Sequence, residues 1–195
     1  MGAPAAHVVL LRALKEAYGR DVTPEEIFFY IYAALYAPAY RTKYAEFLKS
    51  DFPRVPFTRN REQFTNAADL GRRLVDLHLL KSPELDPPIA RFQGTGNNSV
   101  EKPRYNSSEH RVYINGDQYF EGIASQVWGY QIGGYQVLDK WLKDRKGRRL
   151  SLEDIRHYCH IVTALAKTIE VQNEVDALYP GVEKNLVVIE GSANA

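Results

Sequence analysis

Prolines at positions 83, 87, 88 and 103 and glycines at 94 and 96 interrupt the middle of this chain. Proline removes a backbone donor and glycine loses more conformational freedom than any other residue on folding, so no long helix crosses this stretch. On both sides of it, apolar residues recur at helical spacings of three and four. A chain patterned this way is expected to be α+β: a mostly helical scaffold of about five or six helices, with a small antiparallel sheet inserted around residues 89–121. The expected organisation is a helical part at 1–82, a β-rich part at 83–122 and a second helical part at 123–195. At 195 residues these form one domain overall.

In the first helical part, apolar positions 9, 10, 13, 14 and 17 form a stripe that Gly19 can end. Thr23-Pro24-Glu25-Glu26 opens a second helix, with Thr as cap, Pro in the first turn and Glu26 reaching back to the cap amide. The following IFFYIYAALY is apolar on nearly every side and is expected at the centre of the helical core, with Phe28, Phe29 and Ile31 in or near it. A short helix over 38–49 turns Tyr40, Tyr44, Phe47 and Leu48 inward. Asn60 with Gln63 caps a further helix to about Leu80. In the second helical part, Val137, Leu138, Trp141 and Leu142 form a stripe, and Ser151 with Asp154 caps a long helix that buries positions 155, 158, 162, 165 and 169. No helical boundary is assigned beyond Tyr179-Pro180-Gly181.

In the β-rich part, HRVYI and QYFEGI flank Asn115-Gly116, two residues that tolerate positive φ, which predicts a tight hairpin. Alternation puts Val112 and Ile114 on one face and Arg111 and Tyr113 on the other. Lys102, Arg104 and Asn106 share a face, and Pro103 marks an edge strand.

Composition excludes several classes. With 45% hydrophobic and 12% aromatic residues the chain is not expected to be disordered. The single Cys159 cannot form an internal disulfide, which suits a reducing cytoplasm. MGAPAAHVVLL lacks the basic start of a secretory signal, and the uncharged run Ile27 to Tyr40 is shorter than the roughly 20 residues a bilayer requires; no membrane association is expected. Although net charge is only +1, charge is segregated. Lys plus Arg against Asp plus Glu is 8 to 4 over residues 41–73, 10 to 6 over 89–149 and 3 to 7 over 151–190. A near-neutral chain can thus present a basic surface to a polyanion.

Two strings imitate an amino-methylating DNA methyltransferase: Asp86-Pro87-Pro88-Ile89, and Phe92-Gln93-Gly94-Thr95-Gly96. A working cofactor loop joins a strand to a helix, yet NNSVEKPRY follows here. The two strings lie too close in sequence to end different strands of an alternating α/β sheet, and Ile89 stands where an aromatic would stack on a flipped base. His157, Cys159 and His160 offer metal-ligand chemistry, but Cys159 points away from the two histidines on a helix and no second cluster completes a tetrahedron. Asp144-Arg145-Lys146 has a nuclease-like form without a partner carboxylate on a preceding strand. No catalytic residue and no metal site is assigned, and no cofactor is expected on this chain.

What remains is a polar, basic and aromatic sheet. Lys102, Arg104, Tyr105, Asn106, Arg111, Tyr113 and Asn115 carry the groups that contact base edges: Arg or Lys to guanine, Asn to adenine, Tyr to base or phosphate. Arg41, Lys43, Lys140, Lys143, Arg145, Arg148 and Arg149 are the candidates for phosphate contact. Bland alternatives stand beside these assignments. Arg104 and Arg111 can form surface ion pairs with Glu101 or Glu109. Trp128, Tyr130 and Tyr135 can pack in the core around Gly133-Gly134, and the basic turn at 143–149 can complement a helix C-terminus.

Three long strings, IFFYIYAALYAPAYRTKYAEFLKSDFPRVPF, LGRRLVDLHLL and VWGYQIGGYQVLDKWLKDRKGRRLSLEDI, resemble the C-terminal specificity domain, the target recognition domain, of type ISP restriction-modification enzymes. The likeness runs from about residue 22 to 178. It implies sequence-specific recognition of double-stranded DNA without catalysis in this part. Nuclease, helicase-like translocase and adenine-N6 methyltransferase domains would lie elsewhere and would use S-adenosylmethionine and ATP. It also implies a prokaryotic, cytoplasmic restriction system. The alternative is a protein-interaction module that docks a separate methyltransferase or translocase subunit.

Overall fold

The computed structural model describes residues 6–188. The chain forms two compact units, one from residues up to 75 with those from 170 onward, the other from residues 76–169.

The first unit holds α1 (Ala6–Tyr18), α2 (Pro24–Tyr36), α3 (Pro38–Lys43), the first part of α4 (Arg61–His78) and the last part of α7 (Leu152–Lys184). Gly19, at φ +66°, ends α1 in the left-handed region that glycine enters without strain. Thr23 and Glu26 form the expected capping box: the Glu26 amide donates to Thr23 Oγ1 at 3.2 Å and the Thr23 amide to Glu26 Oε2 at 2.8 Å. Arg20 joins it, with Nη2 2.6 Å from Glu26 Oε1. That hydrogen bond is the main reason the Glu26 carboxyl is held down to about 2.

Leu14, Tyr30, Phe57 and Phe64 are buried together, with the Tyr30 ring centroid 5.0 Å from Phe57 and 4.9 Å from Phe64. Gly71 is buried where a β-carbon would collide with the Phe29 carbonyl, so glycine permits a close approach of α4 to α2. Two sequence expectations are corrected here. α2 is not buried all round, because Phe28 is 52% exposed. The helix expected over 38–49 stops at Lys43 and resumes as a 3-10 turn at Phe47–Lys49, which leaves Phe47 and Leu48 half-buried.

The second unit contains a four-stranded antiparallel sheet of β1 (Arg91–Gln93), β2 (Arg104–Asn106), β3 (Arg111–Tyr113) and β4 (Tyr119–Glu121), in the order β1-β4-β3-β2. After it come α5 (Ser125–Trp128), a two-stranded hairpin of β5 (Gln131–Ile132) and β6 (Tyr135–Gln136), and α6 (Val137–Lys143). Val112, Ile114, Phe120, Ile123, Leu138, Leu142, Tyr158 and Val162 form the core beneath the sheet. β2 is an edge strand, as Pro103 predicts.

The β3–β4 hairpin is present, but not for the expected reason. Neither Asn115 nor Gly116 adopts positive φ. The turn is wider: the Ile114 amide donates to the Gln118 carbonyl, and Asn115 Oδ1 accepts from the amides of Asp117 and Gln118. Tight-turn geometry lies instead at Gly133 and Gly134, φ +57° and +82°, between β5 and β6. Ser151 and Asp154 cap α7 as expected, and α7 continues through Pro180 to Lys184.

Candidate nucleic-acid interface

Strand register determines which side chains share the outer face of the four-stranded sheet. Arg91 pairs with Glu121, Glu121 with Arg111 and Arg111 with Asn106, so these four form one row across the sheet. Gln93, Tyr119, Tyr113 and Arg104 form the next. Between the rows, Phe92, Phe120, Val112 and Tyr105 point the other way, toward the core.

The outer rows are cross-linked. The Arg111 guanidinium lies over the Tyr119 ring, 4.4 Å from its centroid, and within 3.7 Å of Glu109 and 3.8 Å of Glu121. Glu121 also accepts from Gln93 Nε2 at 3.0 Å, and Glu109 accepts from the Tyr113 hydroxyl at 2.6 Å. Arg104 lies over the Tyr113 ring at 4.8 Å, and Tyr113 packs against Tyr119 at 5.1 Å. Arg111 is therefore held by two carboxylates and a ring. Arg104 and Arg91 are exposed and form no ion pair among the described residues.

The candidates from the sequence separate accordingly. Arg104, Arg111 and Tyr113 meet on the outer face. For Arg111 the ion pair with Glu109 is real, joined by Glu121; for Arg104 neither Glu101 nor Glu109 is a partner. Tyr105 does not join them: its ring stacks on Trp128 at 5.1 Å and its hydroxyl donates to the Ile123 carbonyl at 2.8 Å. Asn106 lies in the outer row, but its Oδ1 accepts from the Ser108 amide and hydroxyl. Asn115 is committed to its turn, with Nδ2 donating to the Ser99 carbonyl and Gln118 Oε1. Lys102 is exposed just ahead of β2. Trp128 and Tyr130 pack on the core as the bland alternative held, whereas Tyr135 is exposed.

The phosphate candidates also divide. Lys140 Nζ is 2.7 Å from Asp144 and Lys143 Nζ 2.6 Å from Asp139, both helical i,i+4 pairs. Arg145 lies on the Trp141 ring, 3.5 Å from its centroid, and faces Asp154 at 3.6 Å. Arg148 and Arg149 are exposed without an ion pair among the described residues, as is Lys146. The backbone places this turn beside the approach to β2: the Val100 amide donates to the Arg148 carbonyl, the Gly147 amide to the Val100 carbonyl and the Leu150 amide to the Asn98 carbonyl, while Ser99 bridges Arg149. In the first unit, Arg41 is exposed and Lys43 is 2.7 Å from Glu183, whose hydrogen bond raises the lysine pKa.

The methyltransferase-like strings have packing roles. A β-carbon on Gly94, at φ +91°, would collide with the Asp117 carbonyl, and one on Gly96 would crowd the Gln118 side chain; both glycines let the loop lie against the β3–β4 turn. Asp86 faces Arg156 and His160, and the Ile89 amide donates to Thr163 Oγ1, so the proline string is fastened to α7. Burial pushes the Cys159 thiol up to about 11, away from the thiolate a nucleophile or metal ligand needs. His160 binds Asp86 and His157 lies beside Trp141.

Arg91, Gln93, Tyr119 and Glu121 complete the outer face and were not singled out from the sequence. Alternation within HRVYI, carried across the hairpin to QYFEGI, was the signal available for Tyr119 and Glu121. A three-residue β1 is too short to show alternation.

No helix among the described residues is long and apolar enough to cross a membrane. Comparison with curated proteins gave no match. Three solved structures share the fold. A nuclease-deletion mutant of the Type ISP restriction-modification enzyme LlaGI, in complex with a DNA substrate mimic, aligns at TM-score 0.58 and 20% identity, over 80% of this chain and 14% of that one. The ATP-dependent Type ISP restriction-modification enzyme LlaBIII bound to DNA aligns at TM-score 0.64 and 18% identity, over 87% of this chain and 12% of that one. A DrdV–DNA complex aligns at TM-score 0.58 and 24% identity, over 88% and 19%. This chain thus spans less than a fifth of each. The family model for the Type ISP C-terminal specificity domain matches residues 5–174, nearly the whole described chain, and the protein belongs to that family.

Proposed function

We propose that this chain recognises a short sequence in duplex DNA and makes no covalent change itself. The edge ribbon β2–β3 serves as the reading element and the 146–149 turn as a phosphate contact. One observation carries the proposal: strand register gathers Arg104, Tyr113, Gln93 and Arg91 onto one outward face, while the core side chains take the other. A two-stranded ribbon fits a major groove about 12 Å wide, and Arg104, at the ribbon edge without a carboxylate partner among the described residues, is free to make a bidentate contact to guanine. Arg148 and Arg149, beside the segment that leads into β2, would fix register on the backbone. The LlaGI, LlaBIII and DrdV structures with DNA support this reading. Methylation, translocation and cleavage, with S-adenosylmethionine and ATP, would belong to other domains or subunits of a cytoplasmic restriction system.

The test is selection of bound duplexes from a random pool by the purified chain, followed by fluorescence anisotropy on the recovered sequence. Arg104→Ala is expected to lose about 1 to 3 kcal/mol of discrimination at one base pair. Identical binding of wild type and variant to selected and scrambled duplexes would reject the assignment.

A further inference from the structure

The β5–β6 hairpin carries an apolar tip that neither the fold nor the outer sheet face requires. Ile132 and Tyr135 are cross-strand partners on one side of it, 49% and 63% exposed. Gly133 and Gly134 join them in a narrow turn with open space around both.

We propose that this tip is a wedge that enters the base stack of duplex DNA, with Ile132 and Tyr135 as the inserting side chains. The inference rests on the DNA-recognition reading above and adds a distortion of the duplex to it. Three observations carry it.

The hairpin is tethered to the reading ribbon. Its Gln136 side chain donates to the Trp128 carbonyl, and the Trp128 ring stacks on Tyr105 of β2, the strand that presents Arg104. The tip abuts α6: the Lys140 side chain, paired with Asp144, lies with its ammonium 5.8 Å from the Tyr135 ring centroid on the exposed side of that helix. The seven residues of α6 span roughly 10 Å, and past its C-terminal end come Lys146, Arg148 and Arg149, exposed and without an ion pair among the described residues. Tip and phosphate contacts thus flank one short helix.

Size argues against a protein occupant. An aromatic side chain buries roughly 150–250 Å², so Tyr135, 63% exposed, with Ile132, 49% exposed, offers on the order of 200 Å² or less. A standard protein interface buries about 800 Å² on each partner. The tip is too small for such an interface but large enough to wedge a base step, where apolar side chains unstack neighbouring pairs, or to stack one ring on a base.

The experiment uses the full chain and the duplex recovered by selection, with 2-aminopurine placed at each position in turn. Binding is first established by anisotropy. Wild type is expected to raise 2-aminopurine fluorescence several-fold at one step. The variant combining Ile132→Ser and Tyr135→Ser is expected to keep its fold by circular dichroism, still bind that duplex and lose the rise. Duplex binding without a rise at any position, or a rise that survives the double substitution, overturns the wedge and leaves the recognition reading standing. Failure of the wild-type chain to retain any duplex overturns both.

Discussion

Ion pairing within the basic segment makes a quantitative prediction about salt. Arg148 and Arg149 are exposed and unpaired among the described residues, whereas Lys140 is 2.7 Å from Asp144. Neutralising one phosphate contributes about 0.9 to the slope of log K against log salt. If both contact phosphate as proposed, replacing Arg148 and Arg149 together by Ala would remove two such contacts and reduce the slope by about 1.8. Between about 50 and 200 mM salt, that difference alone changes the loss of affinity roughly tenfold. The backbone bonds of the segment run through the Arg148 carbonyl and the Gly147 and Leu150 amides, which alanine leaves intact. The matched control replaces Lys140 and Asp144 together by Ala. It deletes a neutral pair, so the slope should be unchanged. Fluorescence anisotropy titrations of the selected duplex across a potassium chloride series measure both. The reasoning fails if the neutral deletion lowers the slope as much as the arginine pair does, because Lys140 would then leave Asp144 to bind phosphate.

Three further predictions concern the scaffold. Gly71→Ala, which would gain about 1 kcal/mol of helix propensity on an open helix, should instead destabilise by about 1 to 3 kcal/mol, because its β-carbon meets the Phe29 carbonyl; urea denaturation reads the sign. Tyr158 is fully buried and its hydroxyl has no hydrogen-bond partner among the described residues, so Tyr158→Phe should raise stability by about 1 kcal/mol, and a lower melting temperature would contradict this. Glu26 is held down to about 2 from 4.5, chiefly by Arg20. A depressed carboxyl contributes stability that is complete above its unfolded value and lost as pH falls through the folded one. The stability advantage of wild type over Glu26→Gln should thus be full above about pH 4.5 and fade toward pH 2; an advantage independent of pH in denaturant titrations would refute the pairing.

Much of the scaffold was legible because its determinants are local. Thr23 with Glu26 and Ser151 with Asp154 are three residues apart, and each box formed where its spacing predicted. The alternation of Val112 and Ile114 against Arg111 and Tyr113 likewise survived into the sheet. What sequence spacing did not disclose is the capture of polar side chains by groups distant in the chain. Lys43 finds Glu183 and Tyr105 finds the Ile123 carbonyl, each at a separation that no local pattern encodes. Asn115 has the right chemistry for adenine, but its turn consumes the amide. Asn115-Gly116 and Gly133-Gly134 both suit a tight turn, and only the second pair adopts positive φ. A glycine pattern likewise did not distinguish a loop that receives a nucleotide from one that lies against a neighbouring turn.

The two arginines at the sheet margins and the one at its middle differ in what their replacement entails. Exchanging Arg111 strands Glu109 and Glu121 against each other and uncovers Tyr119, so a new side chain there must also solve a folding problem. Arg91 and Arg104 occupy the edge strands β1 and β2, where no carboxylate among the described residues is paired with them. Under the proposed reading, a lineage that drifts toward a different target can therefore revise its outermost strands first, keeping the central pair as ballast.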